Sequence, residues 1–143
     1  MKRRTRGFTL VEILIVLVIL SVLSMIALPH YREQVQRTYR SLARAELHKV
    51  SLRQEQFFAE SRAYAESLEE LGYPGNSLIL ARNGNVGSGS VAGGIYRLTM
   101  APGETSYRVL ATPLQGDSRC GNLSLDGMGT RDASGPEGVS GCW

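Results

Sequence analysis

The stretch Gly7–Leu28, GFTLVEILIVLVILSVLSMIAL, constrains this chain more than any other feature. From Phe8 onward it is apolar except for one threonine, two serines and one carboxylate, that of Glu12. About 20 consecutive apolar residues suffice for a helix to cross a bilayer. Basic residues precede the stretch and acidic ones do not (Lys2, Arg3, Arg4 and Arg6). Because basic residues stay on the cytoplasmic side, this asymmetry predicts a single-pass helix with a cytoplasmic N-terminus.

Glu12 is the residue in this stretch that a plain membrane anchor does not need. A carboxylate at the centre of a membrane helix costs roughly 2.5–3.5 kcal/mol on insertion scales, and such residues normally have a partner at the same depth. The nearest basic side chains all lie before Gly7. Cleavage between Gly7 and Phe8 would supply a cation, because the new amine of Phe8 would lie one helical turn before Glu12.

The order of basic leader, Gly7, Phe-Thr-Leu-Val-Glu and apolar helix resembles the class III signal of type IV prepilins. The resemblance implies that a prepilin peptidase cuts after Gly7 and methylates the new N-terminus at Phe8. It also implies that Glu12 neutralises the amine of a neighbouring subunit during filament assembly. One alternative is a simple single-pass anchor. Another is an ordinary secretory signal, which is cut after its apolar region, where Met25-Ile-Ala-Leu-Pro-His offers a poor site.

The region after Leu28 contains neither Gly nor Pro between Pro29 and Gly72, which predicts that the helix continues. Proline inside a helix removes a hydrogen bond, so we expect a kink near Pro29. Beyond it, several apolar residues share one helical stripe (Val35, Tyr39, Leu42, Ala43, Val50 and Phe57). We therefore expect one long bent helix from about Phe8 to about Phe58, with its apolar stripe covered by the rest of the chain.

The segment after this helix is predicted to contain a short second helix. Ser67 is a plausible N-cap, and Glu69 and Glu70 would lie in the first turn, where carboxylates suit the helix dipole. Gly72 would stop the helix. The following region, 75–94, is poor in bulky residues and is interpreted as a solvent-exposed loop, most clearly at Asn83-Gly-Asn-Val-Gly-Ser-Gly-Ser.

Strand patterns dominate the last third of the chain. Alternating apolar and polar residues on both sides of the turn Pro102-Gly103-Glu104 predict an antiparallel hairpin, formed by Ile95–Met100 and Tyr107–Thr112. Two further short strands are predicted at Cys120–Leu125 and Met128–Arg131. In the second strand, Tyr107, Val109 and Ala111 should point to one side. Three or four antiparallel strands packed on an amphipathic helix predict an α+β fold. This is also the type IV pilin fold that the resemblance implies.

The two cysteines, Cys120 and Cys142, both lie beyond the predicted membrane helix. In an oxidising compartment such a pair most simply forms a disulfide, which the chain-entropy account values at on the order of 3 kcal/mol. A zinc site would need four ligands, and no histidine lies near them. The sequence from Cys120 to Arg131 and the closing Cys142-Trp143 are similar to the C-terminal region of PilE-type minor pilins.

Charge does not favour nucleic-acid binding. The chain has 16 basic and 13 acidic side chains, but without the leader it has 12 basic and 13 acidic side chains. Basic residues on the long helix are interleaved with glutamates, which favours a solvated or subunit-facing helix over a surface that follows phosphates (Arg32, Arg37, Arg40, Arg44, Lys49 and Arg53; Glu33, Glu46, Glu55 and Glu60). Nucleic acid is therefore not an expected partner.

No catalytic constellation is recognisable in the sequence. His30 and His48 lie far apart on the predicted helix, and the Gly-x-Ser-x-Gly pattern does not occur. The segment Asp126–Asp132 has too few carboxylates for a calcium loop, and the glycine spacing fits no phosphate-binding motif. We expect neither an enzyme nor a cofactor or metal site.

These features predict a cleaved leader (1–7), a transmembrane and filament-core helix (8–28) and a pilin head (29–143). The resemblance implies a minor pilin, a structural subunit that supports pilus assembly, twitching motility and adhesion. Its implied partners are the prepilin peptidase, other pilins and the inner-membrane assembly machinery. The subunit would sit in the inner membrane with a periplasmic head and later in an extracellular pilus. The alternatives are a type II secretion pseudopilin and a pilus-borne subunit for DNA uptake or adhesion.

Overall fold

The computed structural model of the chain describes residues 8–89, 92–103 and 105–143. The predicted leader, with its cleavage residue Gly7, and the predicted turn residue Glu104 lie outside these ranges. A long helix, α1 (Leu10–Ser61), is followed by short strands and a C-terminal helical turn: β1 (Ser77–Ala81), β2 (Val86–Ser88), β3 (Gly94–Pro102), β4 (Tyr107–Pro113), β5 (Leu123–Asp126), β6 (Arg131–Ala133) and α2 (Gly138–Cys142).

Helix α1 has 52 residues and includes Pro29. It begins after Thr9, whose Oγ1 accepts a hydrogen bond from the backbone N–H of Glu12 (3.2 Å) in the manner of an N-cap. It ends where Arg62 adopts the left-handed conformation (φ +59°) and donates its N–H to the carbonyl of Phe58 (2.9 Å). The long helix is therefore confirmed, within one turn of its predicted end, and the kink at Pro29 stays a prediction.

Contacts divide the chain into two compact units, with the boundary between Gln36 and Arg37. In the first unit the apolar residues of α1 between Leu10 and Leu28 are all exposed, for example Leu10 (76%) and Met25 (77%). Within the described residues, α1 is the helix whose length and composition would allow it to cross a membrane. We call the second unit, Arg37–Trp143, the head unit; the predicted boundary after Leu28 stays a prediction.

The head unit contains a six-stranded antiparallel sheet with the strand order β2-β1-β3-β4-β5-β6. The predicted α+β class is confirmed, but the prediction of three or four strands was wrong. Strands β1 and β2 lie in the region interpreted as a loop. In β1 four of five residues are buried, so the alternation that reveals a half-buried strand is missing. In β2 the residues Val-Gly-Ser offer almost no hydrophobic signal.

The two C-terminal strands are also displaced from their predicted positions. Strand β5 begins at Leu123 and β6 at Arg131, later than the predicted starts at Cys120 and Met128. The cause of the second shift is the carboxylate of Asp126, whose Oδ1 accepts hydrogen bonds from the N–H groups of Met128 (3.0 Å) and Thr130 (2.8 Å). These bonds hold the residues between the strands in a turn.

The predicted second helix is wrong, because 67–72 forms only a hydrogen-bonded turn. The predicted capping contact exists: Ser67 Oγ accepts a hydrogen bond from the N–H of Glu70 (3.3 Å). Gly72 has φ +81° and donates its N–H to the carbonyl of Glu69 (2.9 Å), as expected of a stop residue. Start and stop signals are both present, but they lie too close together for a helix.

The core of the head unit lies between the part of α1 after Gln36 and one face of the sheet. Of the predicted stripe, Ala43 and Val50 are fully buried, and Tyr39, Leu42 and Phe57 pack against the core as partly buried residues. The predicted inward residues of β4 are at most 2% exposed (Tyr107, Val109 and Ala111). The other face of β3–β6 carries Thr99, Leu110, Ser124 and Asp132, of which Asp132 is exposed.

Candidate functional site

The N-terminal turn of α1 presents Glu12 on an exposed surface. Phe8 is 79% exposed, and Glu12 is the acidic residue of the first helical turn. The pair Thr9 and Glu12 also has the spacing of a capping box, in which the acidic side chain can return to the N-cap residue. Glu12 therefore has a local role available to it, in addition to the intersubunit role that the resemblance to type IV prepilins implies.

The two serines of the apolar part of α1 are satisfied within the helix itself. Ser21 Oγ donates to the carbonyl of Val18 (2.8 Å), and Ser24 Oγ donates to that of Leu20 (2.7 Å). Internal satisfaction of polar groups is what an apolar environment requires. Glu12 is thus the one ionisable side chain between Phe8 and Leu28.

The head unit is organised around a buried ion pair between α1 and the loop before β5. Arg40 Nε and Asp117 Oδ2 are 2.6 Å apart, and the exposed fractions of the two side chains are 6% and 2%. Arg40 Nη2 donates a second hydrogen bond to Asp117 Oδ1 (2.8 Å). The backbone N–H groups of Arg119 and Cys120 also donate to Oδ1 (3.2 Å each). This bidentate geometry joins residues that lie 77 positions apart in the chain.

The ion pair keeps both partners charged. Burial alone would raise the pKa of Asp117, but the hydrogen bonds from Arg40, Cys120 and Arg119, with the charge of Arg40, outweigh it and hold the pKa below its usual range. The hydrogen bond to Asp117 raises the pKa of Arg40 against the opposing effect of burial. Nearby, burial and the charge of Asp117 raise the pKa of Tyr96 to about 12.

A disulfide lies beside this ion pair. Cys120 and Cys142 are covalently bonded, which confirms the predicted pairing. Arg119 forms an ion pair with Glu137, and Glu137 Oε2 lies 3.9 Å from Arg40 Nη1. A Cβ at Gly135 would collide with the carbonyl of Arg119, so the two loops need glycine there to approach each other. The disulfide and the charges together attach the C-terminal segment to α1.

Gln54 forms a second buried polar contact, between α1 and the chain that follows it. Its side chain is fully buried. Gln54 Oε1 accepts a hydrogen bond from the N–H of Ala65 (2.9 Å), and Nε2 donates to the carbonyl of the same residue (2.9 Å). Both backbone groups of a buried loop residue are thereby satisfied, as burial demands.

Several basic residues of α1 contact other side chains of the head unit. Besides Arg40, Lys49 Nζ lies 2.8 Å from the buried carboxylate of Glu46, and Arg53 stacks 4.2 Å from the ring centre of Tyr73. Burial and the charge of Glu46 raise the pKa of Tyr73 to about 12. The row of helix cations is therefore interrupted at Arg40, which is only 5% exposed.

Sequence reasoning missed the buried polar residues Arg40, Glu46, Gln54 and Asp117. One signal was available: Gln54 lies four positions after Val50 and so falls on the apolar stripe. Arg40 gives no such signal, because it resembles the exposed arginines around it. The two histidines form no site in the described residues; His48 packs edge-on against the Trp143 ring at 6.0 Å.

Comparison with known proteins gives matches over nearly all of the chain. Residues 29–124 match a family described as type IV minor pilin ComP, DNA uptake sequence receptor. Residues 2–28 match the prokaryotic N-terminal methylation motif. A type IV major pilin protein, PilA of Myxococcus xanthus (strain DK1622), is 36% identical over 70 residues, which are 49% of this chain and 32% of PilA. The chain thus spans about a third of the length of this curated relative.

The methylation motif and the exposed apolar helix indicate membrane anchoring followed by incorporation into a pilus. The comparisons do not favour a type II secretion pseudopilin over a pilin, and the family is one of structural pilins. Because the family match covers more than half of the chain, it decides the assignment. The chain therefore belongs to the type IV minor pilin family.

Proposed function

We propose that the chain is cut between Gly7 and Phe8 by a prepilin peptidase, methylated on Phe8, and moved from the inner membrane into a filament through Glu12. The observation that carries this proposal is the exposed apolar part of α1, which contains a single ionisable side chain one turn after Phe8. A lone carboxylate in apolar surroundings is expensive unless a cation meets it. The new amine of a neighbouring subunit is such a cation.

The proposed mechanism is physical and requires no catalysis by this chain. Before assembly, α1 holds the subunit in the inner membrane with the N-terminus in the cytoplasm and the head in the periplasm. During assembly, the inner-membrane assembly machinery moves the subunit into the filament. The apolar residues of α1 then contact helices of other subunits instead of lipid. Glu12 then contributes most where its carboxylate meets an amine away from water, because the attraction grows as the dielectric constant falls. Motility and adhesion stay predictions.

The test compares three variants, Glu12→Ala, Glu12→Gln and Thr9→Ala, in sheared filaments and in membranes. We expect mass spectrometry to find all three cut before Phe8 and one methyl heavier. Both Glu12 variants should be lost from filaments, because neither carries the charge. Thr9→Ala should be incorporated, because it removes only the cap of α1.

The Gln variant separates the two roles of Glu12. Glutamine keeps the capping-box geometry and removes the negative charge. Normal incorporation of Glu12→Gln would therefore exclude charge pairing, while loss of Thr9→Ala from filaments would assign the defect to helix capping. An uncut leader in the wild-type chain would reject the proposed processing.

A second proposal, that the head binds DNA, is motivated by the printed description of the matching family, a DNA uptake sequence receptor. The sequence between Glu70 and Glu104 contains no acidic residue. Two arginines in this part of the chain are exposed: Arg82 follows β1, and Arg97 lies in β3 opposite Ile79. Arg82 lies 5.8 Å from the ring centre of Tyr39. Uncompensated arginines suit phosphates, and these two arginines differ from the helix cations considered above.

Arg82→Ala/Arg97→Ala is expected to bind duplex DNA more weakly. A plot of log affinity against log salt concentration should also become less steep, with a slope smaller in magnitude by about two. The measurement is a fluorescence-anisotropy titration of the full chain in detergent micelles at several salt concentrations. Arg62→Ala is the matched control, because that exposed arginine lies among Glu55, Glu60 and Glu66. An unchanged salt slope in the double variant would reject Arg82 and Arg97 as phosphate contacts.

A further inference from the structure

The face of the sheet opposite to the core carries a groove with a volume of about 370 Å³, formed by strands β3 to β6 and the residues next to them. Thr99, Leu110, Ser124 and Asp132 line it and follow one another across the sheet as register partners. Directly opposed residues of antiparallel strands point to the same face. At about 4.8 Å per strand, this row is about 14 Å long. The volume is at the lower end of that of small-molecule sites.

The floor of the groove contains a polar group without a partner. Ser124 is only 6% exposed and lines the groove. Its hydroxyl makes no hydrogen bond within the part of the chain that the structure describes. A hydroxyl can both donate and accept a hydrogen bond. The groove therefore contains a hydrogen-bonding group that the described residues leave free.

The rim of the groove carries one cation and one anion. Arg108 is exposed on β4, and Asp132 is exposed on β6. Neither side chain has an ion-pair partner within 4 Å among residues 8–89, 92–103 and 105–143. Asn122 adds an amide beside them, and Leu110 adds an apolar surface between Thr99 and Ser124. The lining thus combines donors, acceptors and an apolar patch, with no excess of either charge.

We propose that this groove binds an uncharged sugar ring. A pyranose presents several hydroxyls around its edge and an apolar C–H face. The hydroxyls match the carboxylate of Asp132, the guanidinium of Arg108 and the free hydroxyl of Ser124, and the C–H face matches Leu110. Charge balance in the lining favours such a neutral ligand over a nucleotide or an acidic peptide. Neither α1 before Arg37 nor Arg82 and Arg97 take part, so this proposal is independent of those made above.

The test is saturation-transfer difference NMR on the full chain in micelles of a detergent without a sugar headgroup. The probes are D-glucose, D-galactose and N-acetyl-D-glucosamine, with glycyl-glycine as a zwitterion of similar size. We expect transfer to at least one sugar with a dissociation constant on the order of 1 mM, as befits so small a ligand. Ser124→Ala should weaken this binding about threefold to tenfold. Asp132→Asn should weaken it roughly tenfold, because a charge-assisted hydrogen bond is lost.

Ser88→Ala, an exposed strand serine outside the groove, is the matched control and should leave binding unchanged. Thermal unfolding of every variant shows whether a loss of binding reflects a loss of folding; Asp132→Asn, at an exposed position, keeps the test usable if Ser124→Ala unfolds. Transfer to none of the sugars would overturn the proposal. So would transfer to glycyl-glycine alone, or sugar binding that neither groove variant affects.

Discussion

Asp117→Ala is expected to destabilise the head unit by about 3–5 kcal/mol, because it leaves the buried guanidinium of Arg40 without its counter-charge. The exposed fractions of the two side chains are 6% and 2%, so water cannot take the place of the carboxylate. The measurement is chemical denaturation of the full chain in micelles at neutral pH. Asp132→Ala, the removal of an exposed carboxylate, is the matched control and should change stability by less than about 0.5 kcal/mol.

The same pair predicts a dependence of stability on pH. The pKa of Asp117 is lowered in the folded state, so its contribution is complete above the pKa of the unfolded chain, near 4. This contribution is lost as the pH falls through the lower, folded-state pKa. Wild-type stability should therefore decrease on acidification below about pH 4–5, and Asp117→Ala should flatten that decrease.

A double variant separates an unpaired charge from a simple loss of packing. Arg40→Met/Asp117→Leu removes both charges and keeps apolar volume, so it should regain much of the stability that Asp117→Ala loses. A cost below about 1 kcal/mol for Asp117→Ala would contradict the buried pair, because that is the range of an exposed one. If the double variant is no more stable than Asp117→Ala, the unpaired charge of Arg40 is not the cause of the destabilisation.

Cys120→Ser/Cys142→Ser is expected to cost about 2–5 kcal/mol of head stability, because it releases the cross-link between the loop before β5 and α2. Denaturation of the oxidised wild-type chain provides the comparison, and reduction of that chain without mutation is the matched control. Hydrogen exchange should also become faster at Gly135 and Glu137, whose N–H groups bond to the carbonyls of Cys120 (2.9 Å) and Arg119 (3.1 Å). Equal stability of the oxidised and reduced chains would contradict this prediction.

The disulfide and the buried ion pair should not act independently. Cys120 donates its N–H to Asp117 Oδ1 (3.2 Å), so loss of the cross-link loosens one of the bonds that hold the carboxylate in place. Neighbouring contributions of this kind are not additive. Asp117→Ala should therefore lower the free energy of unfolding less in the Cys120→Ser/Cys142→Ser variant than in the oxidised wild-type chain.

The sequence allows the main features of the fold to be predicted where a local pattern carries the information. The apolar helix, the hairpin of β3 and β4 and the pairing of Cys120 with Cys142 all follow from runs, alternation or the cysteine count. Strands β1 and β2 could not be recognised in this way. Four of the five residues of β1 are buried, and β2 has a glycine at its centre, so neither strand shows alternation.

The candidate sites likewise differ in whether a local sequence pattern reveals them. Glu12 can be identified from sequence, because a charge in an apolar run is locally anomalous. Arg40 cannot, because its distinguishing partner lies 77 positions away and neighbouring arginines look identical. The groove is beyond local reasoning as well: Thr99, Leu110, Ser124 and Asp132 meet only through the register of four strands.

The outermost strands of the sheet, β2 and β6, have three residues each. A long open edge is a template on which another chain can add a strand, and such additions are hard to reverse. Edges of this length provide few backbone groups for that reaction. Many copies crowded side by side should therefore avoid amyloid-like fusion of their heads. The contacts between copies would then be made by helices, which can separate again without breaking hydrogen bonds between strands.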